Sequence, residues 1–133
     1  MTAQDVAQVV AELLAEPVPA PSMVSMYPPP MWPAHVEMQA TTPRDVAAWA
    51  RQHHTNLVVH QGDVCTWVDA NFTTHSVPVR IRARARYADV FQKLSARGIT
   101  FDGDAVEVNP EVFGWGCDSC PNKTKCVVEG CQR

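Results

Sequence analysis

A chain of 133 residues has room for one modest hydrophobic core and at most a small appendage that needs its own staple. Its 46% hydrophobic and 19% charged residues exclude wholesale disorder, and a formal net charge of -3 excludes a uniformly basic nucleic-acid binder while leaving a local basic patch open. With no basic start leading into an apolar signal core, and no apolar run near the roughly 20 residues of a membrane helix, the sequence predicts a cytoplasmic protein without membrane contact, whose thiols stay reduced and open to metal.

Residues 2–16 predict an amphipathic helix. Thr2 stands as N-cap with Asp5 three residues on, and Val6, Val9, Val10, Leu13 and Leu14 form one apolar stripe. Pro17 stops it. Seven of the eleven prolines fall between Pro17 and Pro33, which predicts an extended, polyproline-like linker over residues 17–33. The helix is then tethered at a distance, and a helix of about fifteen residues is marginal alone in water. Its stripe needs a surface: its own domain, a groove on another protein, or a second copy of the chain.

Residues 34–110 predict an α+β domain. From His35 the residues Val36, Met38 and Ala40 alternate with polar neighbours, a strand pattern. Thr42-Pro43-Arg44-Asp45 combines an N-cap, proline at the first helical position and an acidic residue three after the cap, so Pro43 to His53 predicts a helix with Val46, Trp49 and Ala50 inward. Asn56 to His60 follows as a strand, then a Gly62-Asp63 turn into Val64 to Phe72, a turn at Thr73 to Ser76, and a strand from Val77 to Ala85. Tyr87 to Arg97 predicts a second helix, with Tyr87, Val90, Phe91 and Leu94 inward and Gly98 as its stop. Ile99 to Phe101 and Ala105 to Val108 flank Asp102-Gly103, a hairpin signal. Short connections favour antiparallel neighbours, so the expected architecture is a mostly antiparallel sheet with two helices on one face and the other face partly open.

Within this domain residues 35–85 resemble small uncharacterised α+β modules of actinobacteria and their phages, in which a strand, a helix of Asp-Val-x-x-Trp-Ala type and three strands follow one another. His35 to Trp49 carries the likeness here. It implies an origin and no activity.

Residues 111–133 form a cysteine tail. Four of the five cysteines, Cys117, Cys120, Cys126 and Cys131, fall in a C-x2-C-x5-C-x4-C spacing. A C-x2-C turn brings two thiolates to one ion, and a second pair completes a tetrahedron around zinc. Gly116, Pro121 and Gly130 supply turns, and Lys123 and Lys125 offset the thiolate charge. Such a segment has no core and takes its folding free energy from the metal. A [4Fe-4S] cluster is the alternative, since four cysteines ligate it too, and two disulfides are disfavoured by the inferred compartment. The spacing resembles that of retroviral-type zinc knuckles but is one residue longer, with Cys126 where those carry histidine, and the run Cys117, Cys120, Cys126 resembles the actinobacterial WhiB-like iron-sulfur regulators. In that family Gly-Trp-Gly follows the cluster, whereas here Gly114-Trp115-Gly116 precedes it. The first resemblance implies single-stranded RNA binding, the second redox-responsive regulation.

In Val79 to Arg86 the residues Arg80, Arg82, Arg84 and Arg86 alternate with apolar ones, and side chains two apart on a strand share a face at about 6.6 Å. The row predicts a site for a phosphate backbone or an acidic partner, with Trp67 as a stacking neighbour. The competing expectation is a solvated face in which the arginines pair with Glu37 or Asp69. His53, His54, His60 and His75 are not spaced as a ligand set, Cys65 reads as a half-buried packing residue, and Asp102 and Asp104 read as turn residues. With no phosphate-cradling glycine loop, H-E-x-x-H or G-x-S-x-G, the sequence predicts a non-enzymatic zinc-binding adaptor. The alternatives are a nucleic-acid-binding regulator using the arginine row and the knuckle, and an iron-sulfur protein.

Overall fold

The computed structural model describes residues 1–101 and 103–113. Its first element, α1 (Ala3–Leu14), begins with a reciprocal cap: the Thr2 N–H donates to Asp5 Oδ2 at 2.7 Å and the Asp5 N–H donates to Thr2 Oγ1 at 3.2 Å. The Thr2 backbone N–H first, and its hydroxyl second, hold the Asp5 carboxyl below its ordinary value. The helix does not hang on a tether. Val6, Val9 and Leu13 are buried in the hydrophobic core cluster, Val10 packs against it, and Leu14 is exposed. Of the surfaces expected for the apolar stripe, the chain's own sheet receives it.

The reason lies in the proline segment, which is not extended linker throughout. Met23–Tyr27 forms a strand, β1, antiparallel to β2 (His35–Gln39), with Met23 opposite Gln39 and Tyr27 opposite His35. Pro21 and Pro28 bracket a stretch in which every residue keeps its N–H, and an edge strand needs ladder bonds on one side only. Ser22 N–H adds a bond to the Gln39 carbonyl at 2.7 Å. Upstream, Trp49 Nε1 donates to the Pro19 carbonyl at 2.9 Å, which ties the turn after α1 to α2 (Pro43–Gln52).

Helix α2 starts as its sequence requires, with Thr42 Oγ1 accepting from the Asp45 N–H at 3.2 Å and Pro43 at the first turn. Two hairpins follow: β3 (Leu57–Gln61), β4 (Thr66–Thr74) and β5 (Val77–Ala85). The β4–β5 turn places His75 and Ser76 at φ 49° and 66°, the left-handed backbone a two-residue hairpin needs. β4 begins at Thr66 rather than at the expected Val64, which stays in the turn and is 97% exposed.

The six strands run in the order β1-β2-β5-β4-β3-β6, with β6 at Ala105–Val108. The sheet is mixed rather than mostly antiparallel: β2 pairs in parallel with β5, Val36 opposite Val79 and Gln39 opposite Arg82. The short-connection argument holds for the hairpins, but the chain leaves β2 through α2 and returns to its side only after β3 and β4, travelling in the same direction. The expected hairpin between Ile99–Phe101 and Ala105–Val108 does not form either. β6 pairs with the free edge of β3, Leu57 opposite Val108, and Ile99 caps α3 (Tyr87–Ser95), its N–H donating to the Leu94 carbonyl at 2.9 Å across Gly98 at φ +68°. Asp102 lies outside the described residues.

Strand alternation sorts the sheet into two faces. Val36, Met38, Leu57, Val59, Val68, Ala70, Val79 and Ile81 point inward and join Val46, Trp49 and Ala50 of α2, each large side chain contributing roughly 1.5–3 kcal/mol by leaving water. In α3 only Val90 and Leu94 are buried. Tyr87 and Phe91, expected inward, are exposed and stack on each other at 5.7 Å, because α3 packs against the closing 3-10 turn Pro110–Phe113 instead of lying along the sheet. Pro110, Val112 and Phe113 are buried, so the core runs past the expected boundary at residue 110. Among the described residues no helix is long and apolar enough to cross a membrane.

Candidate nucleic-acid interface

The helices contribute their buried side chains to one side of the sheet, which leaves the other side to outward residues of β2, β5, β4 and β3. Register sets their neighbours: Glu37 beside Arg80, Arg80 opposite Asn71, Arg82 opposite Asp69, Arg84 opposite Trp67, and Trp67 opposite His60. None of these belongs to the core cluster.

Three arginines of the expected row share this face, and they are not equivalent. Arg80 Nε donates to Asn71 Oδ1 at 3.3 Å, with its guanidinium 3.9 Å from Glu37 Oε1. Arg82 grips Asp69 with two bonds, Nε to Oδ1 at 3.1 Å and NH2 to Oδ2 at 3.2 Å, the fork geometry that matches a carboxylate. Asp69 is only 2% exposed and also has His60 Nε2 at 3.2 Å. Arg84 has no ion pair among the described residues. Its guanidinium carbon sits 5.1 Å from the Trp67 ring centroid, and that of Arg82 sits 4.3 Å from it, both within cation–π range. The fourth arginine leaves the row: β5 ends at Ala85, and Arg86 is the N-cap residue of α3.

The arrangement therefore joins both sequence expectations. The Arg80–Glu37 and Arg82–Asp69 contacts are the bland pairing, while Trp67 with Arg82 and Arg84 makes a flat aromatic and cationic platform of the kind that stacks bases. Asp69 orients the platform by fixing the Arg82 plane. The sequence placed Asp69 as a possible pairing partner, and its burial follows only once the neighbours across β5 and β3 are known.

The other candidate residues lie elsewhere. Cys117, Cys120, Cys126 and Cys131 lie outside the described residues, and among the described residues no group of three His, Cys, Asp or Glu side chains is arranged to hold a metal. Cys65 is a half-buried free thiol. The histidines work singly as bridges between segments, a role the sequence reading missed. His53 stacks on Phe72 at 3.7 Å with Nε2 2.8 Å from Glu16 Oε1, His75 meets Glu12 at 2.8 Å, and His35 stacks on Tyr27 at 4.5 Å. Two of these contacts, at Glu12 and Glu16, fasten α1 and the residues just after it to the domain.

Comparison of the chain with protein-family models, with curated proteins and with solved structures gave no match.

Proposed function

We propose that this chain is a non-enzymatic, cytoplasmic binding protein whose uncovered sheet face takes single-stranded nucleic acid, with the cysteine tail as a zinc-bound second contact. The observation that carries the reading is the Trp67 ring bearing two guanidiniums at 4.3 and 5.1 Å on a face that no helix of the described residues covers. Bases stack on the ring and on the guanidinium planes, at about 1–3 kcal/mol for each base on an aromatic side chain. Arg84 and Arg80 meet the phosphates. The apolar stripe of α1 is spent inside the chain's own core, which favours nucleic acid over a protein groove as the partner. The point at which the cysteine tail begins supports the pairing of the two contacts, since Phe113 lines a cleft together with Arg84 and Arg86.

A labelled unstructured oligonucleotide followed by fluorescence anisotropy tests the face. Trp67→Ala and Arg84→Glu are each expected to weaken binding at least tenfold, and wild-type affinity in both variants would remove the proposal. For the tail, Cys117, Cys120, Cys126 and Cys131 are the proposed ligands. Elemental analysis of freshly purified protein is expected to find one zinc per chain, with four thiols becoming reactive only after chelation. Iron in its place would favour the iron-sulfur alternative, and absence of metal would contradict both.

A further inference from the structure

We infer that the cleft at the carboxyl ends of β2 and β5 is a binding site for a phosphate group carrying at least two charges, such as a phosphomonoester or a diphosphate. The inference is drawn from this cleft and stands whether or not the sheet face binds nucleic acid.

The parallel pairing of β2 with β5 creates the site. β2 ends at Gln39 opposite Arg82, with the Ala40 N–H donating to the Arg82 carbonyl at 2.9 Å, while β5 runs on to Ala85, and within a few residues each strand leads into a helix, β2 into α2 and β5 into α3. Beyond adjacent parallel strand ends the diverging helices leave a crevice, the place where open sheets commonly bind ligands. Here the crevice has a volume of about 520 Å³, in the range of small-molecule sites. Four cationic side chains line it, Arg44 from α2, Arg84 from the end of β5, Arg86 at the N-cap of α3 and Lys93 from α3, against one acid, Asp89. Four cations less one anion leave an excess of three positive charges in a chain whose net charge is -3.

The arginines of that set are not spent on ion pairs within the described residues. Among the described residues Arg44, Arg84 and Arg86 form no ion pair, in contrast to Arg80 and Arg82 on the neighbouring face. Arg44 and Lys93 are half-buried, so their charges are less screened than at an open surface, and Lys93 is held over the Phe113 ring at 5.9 Å. The guanidinium forks of Arg44 and Arg86, beside an Arg84 shared with the Trp67 ring and the Lys93 ammonium over Phe113, match an oxyanion with several acceptor oxygens. A singly charged carboxylate would leave most of that excess unanswered. The phosphate can belong to a free small molecule or to the end of a nucleic-acid strand, and the chemistry of recognition is the same.

Titration of the full chain with sodium pyrophosphate at constant ionic strength, followed by 1H–15N NMR, tests the site. Saturable shifts are expected at Arg44, Arg86 and the first turn of α3, with affinity falling at least tenfold in Arg44→Gln/Arg86→Gln and staying within twofold in Arg97→Gln, a cation outside the cleft. Far-ultraviolet circular dichroism of each variant checks that the fold is kept, and Arg86→Gln alone, at an exposed position, carries the test should the double variant unfold. A second arm compares an oligonucleotide with and without a 5′-phosphate. A gain of at least threefold from the phosphate that disappears in the double variant assigns the site to strand ends; pyrophosphate binding without that gain assigns it to a free phosphorylated molecule. Absence of saturable shifts, or shifts reproduced by sodium chloride at equal ionic strength, overturns the inference.

Discussion

Asp69 carries the heaviest local cost on the open face. A carboxylate at 2% exposure has given up hydration worth several kcal/mol, and only good geometry with several partners offsets that. Arg82 supplies two bonds and His60 a third contact. In urea unfolding, Asp69→Ala and Arg82→Ala are each expected to cost about 1–3 kcal/mol, with the double variant costing less than the sum by about 1 kcal/mol. Strict additivity would show the pair to be uncoupled. Both residues were legible as outward positions on neighbouring strands, and Asp69 as a possible partner for an arginine. The burial of Asp69 was not, because it depends on Trp67, Arg82 and His60 closing around it from strands whose register no local pattern states.

Helix α1 shows how local chemistry and tertiary placement separate at the scale of an element. Its cap, its stripe and its stop at Pro17 were all readable, since each depends on residues within a turn of one another. Its docking was not: the prolines suggested a spacer, whereas the short proline-free run from Ser22 to Tyr27 folds back as an edge strand and brings the helix onto the sheet. Because Leu13 is buried in the shared core, Leu13→Ala is expected to destabilise the whole domain by about 2–4 kcal/mol, read as one cooperative urea transition moved to lower midpoint. A wild-type midpoint would mean that the helix is a detachable appendage after all. The same limit applies to α3, whose periodicity proposed four inward residues. Two were buried, because packing against the closing turn narrows the covered stripe, and the sequence reading did not include that turn as an element.

At the scale of the molecule, the α+β class and the order of most elements were present in the sequence, while the parallel pairing of β2 with β5 was not. That single pairing decides the geometry on which the proposed sites rest. It sets Glu37 beside Arg80 and places the start of α2 next to the end of β5 and the start of α3, where the basic cleft opens. A chain of net charge -3 thereby acquires a basic end: Arg84, Arg86, Arg44 and Lys93 gather there although they are spread over fifty residues of sequence. Regional charge counts average such a cluster away, and alternation along one strand shows only Arg84 and Arg86 of it.

The salt dependence of oligonucleotide affinity tests most directly whether the arginine and tryptophan face is the binding surface. With about three phosphates neutralised, the logarithm of the binding constant is expected to fall linearly with the logarithm of salt concentration at a slope of about -2, and Arg84→Gln is expected to make the slope shallower by about 0.7. Affinity that ignores salt, or a slope that Arg84→Gln leaves unchanged, would contradict the account.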